Sequence, residues 1–222
     1  MSTGISDVDV ASLRAKLQSF IRANDPQEWA RLQVCLGDAL LQSAQGRHEW
    51  KLLQPRVSNP FQQLDQINLG DIRQQAWNAY WAALEECAPN KDIDLWARAC
   101  AGLGDAWTRI GLAPFGTFNA LWKASEILRN FLSEYPCKRA PLLWGVSQHR
   151  MACTRFAMAC RKDDPEEARN LLLEALDALN AVSEAFSSHG FPHHQQPLLE
   201  QIVSMRQRLA RLEQLMQQRA DL

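Results

Sequence analysis

A chain of 222 residues, 46% hydrophobic and 22% charged, falls inside the ordinary globular range and is long enough to bury a substantial core. Its 24 basic and 25 acidic residues leave a formal charge of −1, which supplies no overall field for a phosphate backbone or an anionic membrane, so the expectation is no nucleic acid and no membrane as partner. No run approaches the roughly 18 uninterrupted apolar residues of a spanning helix. The opening residues, with Asp7, Asp9, Arg14 and Lys16, lack the apolar stretch of a signal peptide.

In chain order, residues 7–23 read first as an N-terminal helix carrying Val10, Leu13, Leu17, Phe20 and Ile21 on one face. Asp25-Pro26-Gln27-Glu28 then combines an N-cap, a proline at the first helical position and an acid in the first turn, and Asp164-Pro165-Glu166-Glu167 does the same later. Trp29-Ala30-Arg31-Leu32-Gln33-Val34-Cys35-Leu36-Gly37-Asp38-Ala39 opens the first of these helices. It aligns with Trp96-Ala97-Arg98-Ala99-Cys100-Ala101-Gly102-Leu103-Gly104-Asp105-Ala106 at seven of eleven positions, and internal repetition is the first thing to establish in a chain of this size. A weaker copy begins at Trp144 and runs through Met151-Ala152. A second helical segment follows each copy, with Ala76, Tyr80 and Ala83, then Ala120, Ala124 and Ile127, then Ala168, Leu172 and Ala175, all at offsets of four and three. That spacing sets the three residues on one helical face, where alanine permits close approach of a neighbouring helix.

The expected organisation is a single helical-repeat domain over 1–222. Repeat 1 covers 24–90 with an insertion at 46–70, repeat 2 covers 91–138, repeat 3 covers 139–190, and a capping helix covers 195–220. The insertion holds Pro55, Asn59 and Pro60 among Trp50, Leu52, Leu53 and Phe61, so a short helix or two folded over the repeat is expected. Gly111, Pro114 and Gly116 break the chain inside repeat 2, and Gly190, Pro192 and Pro197 end repeat 3. The final stripe Leu198, Ile202, Met205, Leu209, Leu212 and Met216 suits a capping helix, or a seam for a homodimer through 197–219. Sustained period-two alternation is missing, so no sheet is expected.

The Trp-x7-Gly pattern with leucine before the glycine, followed by Ala-x3-large-x2-Ala, resembles the tetratricopeptide-repeat family over about residues 24–187. The repeat spacings of 67 and 48 depart from the family's period of about 34. The resemblance implies an all-α, right-handed α-α superhelix whose concave groove, lined by the first helix of each pair, binds a protein or peptide. Carried over position by position, the lining is Arg31, Val34, Asp38 and Gln42 in the first copy, Arg98, Asp105 and Arg109 in the second, and His149 in the third. The asparagines and lysines of the carboxylate clamp found in co-chaperone members are missing, which disfavours a chaperone C-terminus. Beside the groove stands a plainer reading: Arg31 with Asp38, and Arg98 with Asp105, are each seven apart on one helix and make a solvated face of weak ion pairs.

The function expected is therefore an adaptor, scaffold or chaperone-like module. Two alternatives remain open, an enzyme or small-ligand sensor with a pocket between the 46–70 insertion and the repeats, and a self-associating structural subunit. No catalytic residue is assigned, because no strained nucleophile turn joins the Cys, His and Asp present, and no phosphate-cradling glycine loop is found. His189, His193 and His194 have no carboxylate or cysteine at ligand spacing, so no metal and no cofactor are expected. Six scattered cysteines, with no C-x-x-C, read as reduced, buried thiols in a cytoplasmic protein. Trp29, Trp96 and Trp144 read as core residues of the repeat. Core burial is likewise the expectation for Trp50, Trp77, Trp81, Trp107 and Trp122, with a surface anchor as the alternative.

Overall fold

The structure, a computed structural model, describes residues 10–43, 62–113, 116–191 and 195–220. Among the described residues there are eight α-helices and no strand: α1 (Val10–Ser19), α2 (Pro26–Ser43), α3 (Gln62–Leu84), α4 (Ile93–Leu112), α5 (Phe118–Glu134), α6 (Pro141–Ala159), α7 (Pro165–Ser188) and α8 (Gln195–Ala220). The expected all-α class holds.

Each start has a local cause. The Asp25 carboxylate accepts from the Glu28 N–H at 2.9 Å, and Asp164 accepts from the Glu166 N–H at 3.0 Å ahead of Pro165. Asp92 and Thr117 cap α4 and α5 through the N–H groups of Leu95 and Ala120. α7 ends before Gly190, whose φ of +76° is a left-handed conformation that suits glycine. Pro197 sits inside the first turn of α8, where its missing N–H leaves no helical bond unmade.

Most of the expected insertion lies outside the described residues, but its last stretch does not behave as an insertion. Helix α3 begins at Gln62 and passes through Gly70. A lone glycine in a run of helix formers weakens a helix by about 1 kcal/mol without ending it.

The chain divides into two compact units, Met1–Ala113 and Pro114–Leu222, and the division falls inside the stretch expected as repeat 2. In the first unit α3 packs against both α2 and α4, α2 also meets α4, and α1 lies on α2. Its core is Ala30, Val34, Leu40, Ala76, Tyr80 and Ala83 together with Leu95, Ala97, Leu103 and Ala106. In the second unit α6 packs on α5 and α7, and α7 on α8. Leu172, Leu176, Leu179, Val182 and Phe186 of α7 build the core there with Leu198, Ile202 and Met205 of α8.

The alanine-bearing faces are legible in this core, with Ala76, Tyr80, Ala83, Ala120, Ala124, Ala168, Leu172 and Ala175 buried and Ile127 partly buried. The tryptophans are not where expected. Trp29, Trp96 and Trp144 are only partly buried, and Trp81 and Trp122 are 53% and 47% exposed. Indoles nevertheless meet between packed helices in the first unit, where Trp77 of α3 lies edge to face on Trp107 of α4 with 5.6 Å between ring centres. Cysteines also differ from expectation, since Cys87 and Cys100 are buried whereas Cys35 and Cys160 are exposed. No helix among the described residues is long and apolar enough to cross a membrane.

Candidate functional site

In the first unit the residues expected to line a groove are drawn into internal contacts. The Tyr80 ring of α3 lies against two glycines, Gly37 of α2 and Gly102 of α4. A methyl group at Gly37 would meet the ring carbons at 2.7 Å, and one at Gly102 would meet them closer still. Only a glycine surface admits the phenol this deeply. Its hydroxyl donates to Asp38 Oδ1 at 2.7 Å, and Arg98 donates to Asp38 Oδ2 at 3.0 Å. Burial first, and the Asp38 carboxylate second, push the Tyr80 phenol well above its ordinary range, so it remains a proton donor. Asp105 holds the buried Arg109 guanidinium at 3.0 Å across one helical turn.

Arg31 pairs with Glu28 and Asp92, both at 3.3 Å, and these hydrogen bonds raise its pKa. Val34 is fully buried and belongs to the core, with no surface to offer a partner; Gln42 is exposed at the end of α2. The structure thus brings Asp38 and Arg98 together through Tyr80, keeps Asp105 with Arg109, and leaves Arg31 with its own acids. Tyr80 appears in the sequence only as a core residue; the signal for its polar role is an aspartate directly after Gly37, the glycine that seats its ring.

His149, the last of the expected lining residues, lies in the second unit. It sits mid-α6 and meets Gln201 of α8 at 2.7 Å between Nε2 and Oε1. Burial opposes a charge on this imidazole, but its contacts with Cys153 and Gln201 outweigh that and raise its pKa. The Cys153 Sγ is 4.0 Å from both ring nitrogens. At that separation the contact is a weak sulfur–imidazole one shared by both nitrogens. Further along, the Arg208 guanidinium of α8 lies 4.9 Å from the centre of the Phe156 ring on α6, and its Nη1 reaches Cys160 Sγ at 3.9 Å. Although Cys160 is exposed as a residue, the groups packed around its thiol desolvate it and raise its pKa, against the opposing pull of Arg208.

Beyond these bridges the second unit opens into a groove of about 500 Å³ between the α6–α7 connection and the C-terminal half of α8. Phe156, Leu172, Leu212, Leu215 and Met216 supply its apolar surface. Lys162, Arg208, Arg211, Arg219 and Asp163 supply its charges, and the start of α7 at Pro165 turns the positive end of a helix dipole toward the same space. Nothing in the sequence reading singled out this cluster. The period-3.6 stripe of α8 is visible there, but not that its arginines and Leu215 lie beside the α6–α7 connection.

Among the described residues no three His, Cys, Asp or Glu side chains come together as metal ligands. His193 and His194 lie outside those residues. Comparison of the chain with protein-family models, with curated proteins and with solved structures finds no match.

Proposed function

We propose that this chain is a protein-binding helical module of degenerate tetratricopeptide-like kind, and that it holds a segment of a partner protein in the groove of its second unit. One observation carries the reading. Arg211 and Arg219 stand beside exposed apolar surface with no carboxylate partner among the described residues, whereas in the first unit Arg98 is paired with Asp38 and Arg109 with Asp105. Charges already paired contribute little to a new contact, while unpaired guanidinium groups around a desolvated apolar centre match the anatomy of an interaction surface. α3 packing on both α2 and α4 supports the repeat reading, since a second repeat helix fills the gap between two first helices.

Leu215 is 57% exposed in this groove, so Leu215→Asp leaves the core intact. Co-purification followed by mass spectrometry is expected to lose a defined set of proteins with that variant. An unchanged set would count against the reading. A second reading has its own observation: Leu199 and Val203 are 46% and 53% exposed on another face of α8, which suits self-association of the chain. Sedimentation of Val203→Lys against the unaltered chain separates the two, because only self-association responds to that change.

A further inference from the structure

We infer that the partner segment is an acidic amphipathic helix, laid along the C-terminal half of α8 with its carboxylates on Arg211 and Arg219; this rests on the reading of the groove given above. Four of the five charged side chains around the groove are basic, in a chain whose formal charge is −1. Lys162 is met by Glu167 at 2.5 Å, and Arg208 is laid over Phe156. Arg211 and Arg219 have neither an ion pair nor a ring contact among the described residues, so theirs are the side chains left to meet a partner's charge.

An ion pair marks the register of α8 against α7 at this groove. Arg169 of α7 pairs with Glu213 of α8 at 2.9 Å, which fixes the two helices antiparallel at that point. Four residues before Arg169 α7 begins, whereas seven residues after Glu213 α8 still continues. Its last three residues thus run past the start of α7, and Leu215, two residues after Glu213, stays 57% exposed. Along α8 the residues 211, 215 and 219 follow offsets of four and four, so Leu215 lies between the two arginines, with Leu212 beside Arg211, and the arginines are about 12 Å apart from a rise of about 1.5 Å per residue.

A helix presenting two apolar residues one turn apart, with Asp or Glu about two turns apart on the same side, complements that pattern in shape and charge. A groove open along one side suits a helix that buries one face and keeps the other in water. It suits a free acyl chain less well, since such ligands are enclosed over most of their surface.

The test is selection of a displayed library of helical peptides, with random residues flanking two fixed apolar positions, on the full chain. Two variants run in parallel, Arg211→Glu with Arg219→Glu, and Leu215→Asp. Enriched peptides are expected to carry carboxylates at the flanks, to bind the double variant about tenfold more weakly, and to weaken further as salt shortens the screening length. Circular dichroism of each variant establishes that it is folded. Neutral or basic peptides that still need Leu215 overturn the acidic partner and leave the groove standing. Peptides indifferent to Leu215→Asp, or no enrichment, overturn both. Binding instead to phosphatidylserine vesicles, abolished by the double variant and with no peptide enriched, also overturns the assignment.

Discussion

Both units let an aromatic ring of one helix sink against a glycine of its neighbour, Tyr80 on Gly37 and Gly102 in the first, Phe186 on Gly145 in the second. They differ in chemistry at that seat. Tyr80 carries a hydroxyl into the core and needs Asp38 to satisfy it, which in turn recruits Arg98. Phe186 asks for no partner, and its other neighbour is the Phe191 ring at 5.7 Å. In the first unit polar side chains of the repeated segment hold neighbouring helices in register. In the second unit the ring seat is wholly apolar, the Arg169–Glu213 pair ties α7 to α8 at the surface, and Arg211 and Arg219 are left for another role. Buried polar groups are retained only when satisfied, so the same repeat position becomes structural where a phenol sits opposite it.

The largest effect that sharpens this contrast is Tyr80→Ala. Removing a fully buried ring and leaving Asp38 without its donor is expected to cost about 3–5 kcal/mol, seen in denaturant unfolding and in hydrogen exchange of the amides of α2, α3 and α4. Equal loss of protection in α7 would break the contrast. Next comes Gly102→Ala, where the added methyl overlaps the Tyr80 ring; about 1–3 kcal/mol is expected. Gly145→Ala, against Phe186, should cost a comparable amount. Tyr80→Phe removes the hydroxyl alone and is expected to cost about 1–2 kcal/mol, the penalty of a part-buried carboxylate oxygen left unmatched.

An alkaline titration separates the chemistry of the first unit further. Burial raises Cys87 to about 11 and Cys100 to about 12, and lifts Tyr80 as well. Folded pKa values above the unfolded ones mean that the native state holds more protons, so stability is fully present below about pH 9 and falls as pH rises toward 11–12. Urea midpoints from pH 8 to 11 read this, and Cys87→Ala with Cys100→Ala should flatten the early part of the decline. The smallest effect is that of Arg98→Ala. This side chain is half exposed, and an ion pair of that kind contributes under about 1 kcal/mol.

Local causes were legible in the sequence, and distant ones were not. Asp25, Asp164 and Gly190 act within a turn or two of themselves, so their capping roles read directly. The alanine faces of α3, α5 and α7 also read directly, because a 3.6-residue period is a property of one helix. The pairing of Arg98 with Asp38, across 60 residues, is a property of two. Spacing on α4 alone offers Asp105 as the partner, and the phenol that decides between them comes from α3. Trp29 and Trp96 misled for a related reason: repetition marks a shared environment, and here that environment is a flank rather than the core. The groove depends on α8 lying beside the α6–α7 connection, which no periodicity encodes.

The central claim is that partner binding resides in the unpaired arginines of the second unit. It is tested most directly by comparing partner recovery for two double variants at equal expression, Arg211→Glu with Arg219→Glu, and Arg31→Glu with Arg98→Glu. Loss with the first pair and retention with the second is the predicted result. Retention with the first pair and loss with the second would contradict it and return binding to the helices α2 and α4.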